Sequence, residues 1–347
     1  VVERKRDGFF MPAEWSRHEA TWCSWPRNRD TWPHNLAEVR SEFSGMVRAI
    51  ANDEPVRVMA GAGDDLDSAR KLLGGTDGIE IVDIQTNDAW ARDYAPTFTI
   101  DRNLNQLRAV GWHYNAWGGK YPPFEDDQQV ARRIAARIGC GHWQVELCLE
   151  GGALEVDELG TVMCTRTCAF DKNRNPDLPP EEIEKRIADS TGATSIIWLE
   201  GDCLVGDDTD GHIDQLARFT LSGPVLYAWT DDAADPQQSG LRKNRDDLER
   251  GLDLTGLRRE LVPLPVPDPV FFRDVQIPAC YCNYYLTNGS VIVPAFGARQ
   301  DEIAAGIIAE LHPGRRLVVL PSTHLTVGLG SFHCLTQQQP ALDKPAG

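Results

Sequence analysis

Four short segments hold the residue types that chemistry needs. They are Asn87-Asp88-Ala89-Trp90-Ala91-Arg92-Asp93, Glu150-Gly151-Gly152, Gly206-Asp207-Asp208-Thr209-Asp210-Gly211-His212-Ile213-Asp214 and Gly328-Leu329-Gly330-Ser331-Phe332-His333-Cys334. Taken singly, each has a plain structural reading. An Asp-rich stretch is most often a solvated turn. Glycines before a Cys are often only a tight turn, and Trp90 is a core residue by default in a chain with ten Trp. The Asp/His segment also fits the His-x-Asp half of a non-heme iron site, His212 and Asp214, with His324 or His333 as the distal ligand. A calcium loop fits poorly, because a glycine at loop position six would put Gly206 at position one, where an acid belongs.

The combination is more informative. Three carboxylates (Asp93, Glu150, Asp214), His212 and Cys334 suit a guanidinium substrate. That cation is a planar fork of N–H donors, which paired carboxylates match bidentately. Two fixed carboxylates would hold its central carbon for attack, and the third would orient the His. A nucleophilic Cys needs a base and electrostatic help, which His212 or His333 can supply. Gly328, Gly330 and Ser331 give the chain freedom to let a substrate approach the thiol.

Regular elements must position these segments. Helical patterns lie near 64–73, 126–138, 180–191, 237–251 and 299–311; the second steps by four through Val130, Ile134 and Ile138. A short apolar or β-branched run follows each, at Ile79–Ile84, Gln144–Leu149, Thr194–Leu199, Glu260–Leu264 and Arg316–Leu320. Polar segments follow four of these five runs. A further helix near Leu36–Ile50 carries Leu36, Val39, Phe43, Met46, Val47 and Ile50 on one face. The pattern predicts one α/β domain of five units in a closed ring, with a doubly wound open sheet as the alternative. The Pro-rich stretch Val262–Pro269 reads as a loop within the domain.

The chain has 347 residues, of which 41% are hydrophobic and 25% charged, enough for a sizeable core. No apolar window is long enough to cross a membrane, and no apolar run follows Val1–Arg6 to make a signal peptide. With 35 basic and 52 acidic residues, the net charge of −17 disfavours nucleic acid. It would steer a small cation inward, and one remote acid such as Asp301 would count for little. Nine Cys without pairing grammar read as reduced thiols, mostly buried, in a cytoplasmic protein. Cys164/Cys168 and Cys280/Cys282 have no second pair at zinc spacing.

At these residues the sequence resembles the agmatine deiminase family, within the Porphyromonas-type peptidylarginine deiminase and guanidine-modifying superfamily. The resemblance runs through Met11-Pro12-Ala13-Glu14-Trp15, His18-Glu19-Ala20-Thr21-Trp22, the Asn87–Asp93 segment, Asn115-Ala116-Trp117-Gly118-Gly119 and Glu150-Gly151-Gly152. It continues through Asn173-Arg174-Asn175-Pro176, Asp207–Asp214 and His333-Cys334-Leu335-Thr336-Gln337-Gln338-Gln339-Pro340. It implies a five-bladed α/β propeller, one catalytic domain over residues 1–347, and hydrolysis of agmatine to N-carbamoylputrescine and ammonia in polyamine metabolism. By the same resemblance, Cys334 matches the nucleophile and His212 the general acid/base. Glu150 matches the acid paired with that His, Asp93 and Asp214 the guanidinium-holding pair, and Trp90 the aromatic pocket wall. No metal or organic cofactor is implied. The partner implied is a cationic guanidine, with neither nucleic acid nor membrane; homo-oligomer formation stays open. The sequence departs from the family at Tyr94, Ala95, Ala153, Leu329 and Ser331, all expected beside the pocket. Alternatives are a peptidyl- or free-arginine deiminase, an amidinotransferase, a non-catalytic guanidine-binding protein and the iron oxygenase above.

Overall fold

The computed structural model describes residues 8–343, so Val1–Arg6 lie outside the described residues. Among the described residues, eighteen strands form five main sheets and one small hairpin. The first sheet contains β1 (His18–Ser24), β2 (Val56–Met59) and β3 (Ile79–Val82). Next come β4 (Thr97–Asp101), β5 (Gln106–His113) and β6 (Gly141–Cys148), then β7 (Glu155–Val156), β8 (Thr161–Thr165) and β9 (Ser195–Leu199). The fourth sheet is β10 (Ala217–Phe219), β11 (Val225–Trp229) and β12 (Leu261–Pro265). After a hairpin, β13 (Phe271–Phe272) and β14 (Val275–Gln276), the fifth is β15 (Tyr285–Leu286), β16 (Ser290–Ala295) and β17 (Arg316–Pro321). The final strand, β18 (Thr336–Pro340), returns to pair antiparallel with β1.

One pattern recurs. An antiparallel pair is followed by a helix that crosses over to a third, parallel strand, as in β4–β5 and then β6. The same order holds in β7–β8–β9, β10–β11–β12 and β15–β16–β17. A parallel neighbour needs such a crossover because a tight turn can only reverse the chain. The five expected helices are Asp64–Leu73, Val130–Ile138, Pro180–Thr191, Gln238–Thr255 and Asp301–Leu311, and the five apolar runs are β3, β6, β9, β12 and β17. Each of these strands ends a sheet's order, and the chain leaves it for the next sheet. Five separate sheets overturn the open doubly wound alternative, which would need one continuous sheet.

The helix Leu36–Ala51 buries all six residues of its expected face. Burying Phe43, Met46 and Ile50 stabilises by roughly 1.5–3 kcal/mol each. Their cluster includes Trp22, Trp32, Trp90 and Cys334, so this core also walls one side of the nucleophile. In the second helix Val130 and Ile134 are buried, while Ile138 is only half-buried. Asp301 is not the inert surface acid expected. Its carboxylate accepts from the Tyr281 hydroxyl at 2.6 Å and from the backbone N–H groups of Phe296 and Gly297 in the loop before its helix. Among the described residues, no helix is long and apolar enough to cross a membrane.

Candidate active site

The connections between sheets carry the reactive side chains. Asp93 lies in the helical turn Ala91–Tyr94 after β3, and Glu150 just after β6. His212 caps the turn Ile213–Gln215 after β9, Asp214 lies within that turn, and Cys334 precedes β18. Arg92 ties the first segment to the last: its backbone N–H donates to the Cys334 carbonyl at 3.0 Å and its Nη1 to Gln338 Oε1 at 2.7 Å.

Cys334 opens onto a cavity of about 440 Å³ whose walls include Trp90, Trp117, Asp93, Asp208 and Leu329. Trp90 packs on Trp32, ring centres 5.3 Å apart. Behind this lining lie Asp214, His212 and Glu150, all fully buried. Asp214 Oδ2 is 3.5 Å from Cys334 Sγ. His212 Nε2 is 3.4 Å from Glu150 Oε2, and its Nδ1 lies 3.7 Å from Asp93 Oδ1. All five expected chemical residues therefore meet, with Trp90 at the wall.

Glycine matters here for space. A Cβ on Gly152 would lie 2.6 Å from His212 Nδ1, 2.7 Å from Asp93 Oδ1 and 3.2 Å from Asp214 Oδ2. Only a hydrogen fits where these polar atoms converge. A Cβ on Gly330 would lie 2.6 Å from the Trp90 ring. Close packing against that indole, rather than the backbone freedom expected for substrate approach, accounts for Gly330.

The charges follow from burial and neighbours. Burial raises Asp93, and Asp214 and Glu150 add to it while His212 opposes; the result is about 6. Burial would also raise Glu150, but Arg174 and His212 outweigh it and hold the carboxyl at about 2. Burial disfavours charged His212, yet Asp93, Cys168 and Glu150 around it keep the imidazole well above its usual range, so it stays protonated at neutral pH. Asp214 is held low despite burial by its bond to His333. Burial, then Asp214 and Asp93, push the Cys334 thiol well up. Two buried atoms here lack hydrogen-bond partners: Asp214 Oδ1 and His212 Nδ1.

Several supporting residues had no role assigned from sequence, and His333, a candidate base there, takes a different place. Arg174 Nε donates to both Glu150 oxygens at 3.0 Å and its Nη1 to Asp210 at 2.6 Å. Trp117 Nε1 donates to Asp93 Oδ2 at 3.0 Å. His333 sits between two carboxylates, Nδ1 2.7 Å from Asp214 and Nε2 2.8 Å from Glu14. Arg174, Trp117 and Glu14 all belong to motifs visible in the sequence, but a motif names no partner.

The departures expected beside the pocket mostly lie elsewhere. Of Tyr94, Ala95, Ala153, Leu329 and Ser331, only Leu329 lines the cavity. Tyr94 donates to the Asp88 carbonyl at 2.7 Å, Ala153 packs in a core cluster and Ser331 pairs with Ser322. Leu329 adopts φ 76°, a left-handed conformation costly for a side-chain-bearing residue.

The ligands of the iron reading do not come together. His324 lies against Asn35 and Phe272, and His333 is taken up by Asp214 and Glu14. Among the described residues two groups could hold a metal, Glu150/Cys168/His212 and Glu14/Glu155/His333. In both, guanidinium groups already neutralise the acids: Arg174 on Glu150, and Arg218 on Glu14 and Glu155. All nine Cys are free, seven of them buried.

A family model described as Porphyromonas-type peptidyl-arginine deiminase matches residues 10–340. An agmatine deiminase of Stutzerimonas stutzeri is 38% identical over 97% of each chain. Among solved structures, the agmatine deiminase of Enterococcus faecalis superposes with a TM-score of 0.88 at 29% identity, covering 96% of both chains. A cysteine-to-serine variant of the C. jejuni agmatine deiminase with substrate bound gives a TM-score of 0.88 at 26% identity over 97% of both.

Proposed function

Because the chain belongs to the Porphyromonas-type peptidyl-arginine deiminase family, we propose that it hydrolyses a guanidinium, agmatine first, to a ureido product and ammonia. The observation that carries this reading is an unpartnered buried oxygen on the carboxylate that lies 3.5 Å from the thiol. Asp214 Oδ1 is an acceptor without a donor, and a guanidinium supplies donors. The names of the relatives support agmatine as the substrate. So does the charge of the cavity: Asp30, Asp88, Asp93 and Asp208 line it against one cation, Lys120, which Asp210 already pairs. A cationic tail suits that wall better than the carboxylate of free arginine.

In the proposed reaction Asp93 and Asp214 grip the guanidinium with its carbon facing Cys334 Sγ. The bound cation offsets the carboxylates that hold the thiol protonated, and the thiol proton leaves to solvent, giving the thiolate. Its electron pair makes the S–C bond and a tetrahedral adduct. Protonated His212 gives its proton to the departing nitrogen, which leaves as ammonia with the C–N pair. A thiouronium remains on Cys334. His212, now neutral, takes a proton from water as the oxygen bonds to the same carbon. Collapse breaks the S–C bond and returns its pair to sulfur, which takes up the remaining hydroxyl proton, so the thiol is restored and N-carbamoylputrescine leaves. Glu150, fixed by Arg174, stabilises the charged imidazole. Covalent catalysis suits this substrate because resonance makes guanidinium a poor electrophile toward water.

We read the whole chain, residues 1–347, as one catalytic domain. Its five sheets form a closed five-bladed α/β propeller on this reading, supported by the repeated sheet order and the β18–β1 pairing. The test is ammonia and ureido-product release from agmatine, arginine and arginine peptides, with Cys334→Ser as control. Turnover of agmatine that Cys334→Ser abolishes is expected. Full activity in that variant would end the covalent mechanism, and a preference for peptides would move the substrate to peptidyl-arginine.

A further inference from the structure

Four of the five connections between sheets carry the residues discussed so far. The fifth, from β12 to β15, ends in the turn Tyr281–Asn283, which packs against the turn holding Asp214. Asn283 is buried, and its contacts converge on the nucleophile. Its Oδ1 accepts from the backbone N–H of Ser331 at 3.1 Å and of Cys334 at 3.2 Å. Its carbonyl accepts from the His333 N–H at 3.1 Å. Its Nδ2 lies 3.1 Å from Cys334 Sγ.

The amide orientation follows from this network. Two backbone donors can meet only the oxygen, so the nitrogen must face the sulfur. A neutral thiol is a weak acceptor, whereas a thiolate is a charged one whose hydrogen bonds are substantially stronger. The donor therefore gains most when the proton leaves. Around Sγ the other charged groups are Asp214 and Asp93, which oppose a thiolate. Asn283 supplies a fixed donor to Sγ on the protein side of the site.

We propose that Asn283 is a catalytic residue that holds the Cys334 thiolate through its Nδ2–H while its Oδ1 fixes the backbone that carries the Cys. The proposal rests on Cys334 as the nucleophile. It requires no further group, and completes one site residue from every inter-sheet connection.

Asn283→Asp separates the two functions of the side chain. It is isosteric, keeps an oxygen for both backbone donors, and turns an acceptor toward Sγ. Asn283→Ala removes both functions. Folding is read by circular dichroism, and Cys334 alkylation by iodoacetamide is followed between about pH 6 and 12 with mapping among the nine thiols. The alkylation midpoint should rise by about one to two pH units in Asn283→Asp, and kcat should fall roughly 10- to 100-fold with KM little changed. Because a new carboxylate beside Sγ raises the midpoint by its charge alone, the uncharged Asn283→Ser and Asn283→Ala decide: a role in loop structure alone predicts a wild-type midpoint and kcat wherever these variants fold. Either a wild-type midpoint or a wild-type kcat in folded Asn283→Ser or Asn283→Ala overturns the proposal. If Asn283→Asp fails to fold, folded Asn283→Ala or Asn283→Ser gives the same readings. A raised midpoint in a protein that turns over no guanidine would sustain Asn283 and sink the substrate reading instead.

Discussion

Guanidine binding should carry the titration of Asp93. In the empty site this carboxyl sits at about 6 against an ordinary 3.8, a rise of about two pH units or about 3 kcal/mol. A raised native carboxyl contributes stability that is present below the unfolded value and lost as pH rises through about 6. The ionised carboxylate is therefore disfavoured at neutral pH, and a bound cation offsets that penalty. Binding needs the carboxylate, so affinity should fall as acid protonates it. With half-ionisation at about 6, agmatine affinity should be about tenfold weaker at pH 5 than at pH 7, and level above that. The other site groups keep their charge over this window: Glu150 at about 2, Asp214 held low, His212 held high. The assay is a titration of Cys334→Ser, expected to bind without turnover, followed by the tryptophan fluorescence to which Trp90 and Trp117 in the cavity wall contribute. Asp93→Asn should bind weakly with a shallower pH dependence. Burial also raises Asp88 and Asp208 in the same cavity, and any slope left in Asp93→Asn belongs to them. Affinity constant across the window, or the same slope in Asp93→Asn, would refute the argument that this carboxylate grips the cation.

Other perturbations test separate parts of the site. His212→Ala should cut ammonia release roughly 10²–10⁴-fold with smaller loss of binding; if only His333→Ala proved inactive, the acid/base assignment would be wrong. Gly152→Ala should keep the fold but abolish turnover, because its methyl would press on His212 and Asp93; a kcat near wild type would show that these groups can yield. Asp214→Asn should cut both affinity and rate, whereas Asp77→Asn, at an exposed position, should change neither; wild-type behaviour in Asp214→Asn would make that acid merely structural. Leu329→Gly should change stability little, since relief of roughly 1–2 kcal/mol of left-handed strain is offset by roughly 0.5–1 kcal/mol of added chain entropy. It should raise the activity ratio of arginine to agmatine by widening the cavity; an unchanged ratio would remove Leu329 from substrate selection.

Local pattern determined a large part of this protein. The face of Leu36–Ala51 and the apolar runs of β3, β6, β9, β12 and β17 follow from periodicity, because a helix or strand buries residues at fixed spacings. The residue types of Asp93, Glu150, His212, Asp214 and Cys334 pointed to guanidinium chemistry before any contact was known. Contacts across the chain decided the rest. Glu14 and His333 are 319 residues apart, and neither motif says that they bond. Asn283 was invisible because Asn before an apolar strand is unremarkable until it faces a sulfur. The repeat was its one signal, since a fifth unit implied a fifth contributing connection. Asp301 looked like a lone surface acid, and only packing revealed the donors it satisfies. The departures at Tyr94, Ala95, Ala153 and Ser331 lie near site residues in sequence yet do not line the cavity, whereas Leu329 does. Charge was the least legible property: Asp93 rises and Glu150 falls because burial acts on both, while only Glu150 receives a guanidinium from Arg174. Sequence supplies the groups, but their ionisation depends on which neighbours the fold brings within a few ångströms.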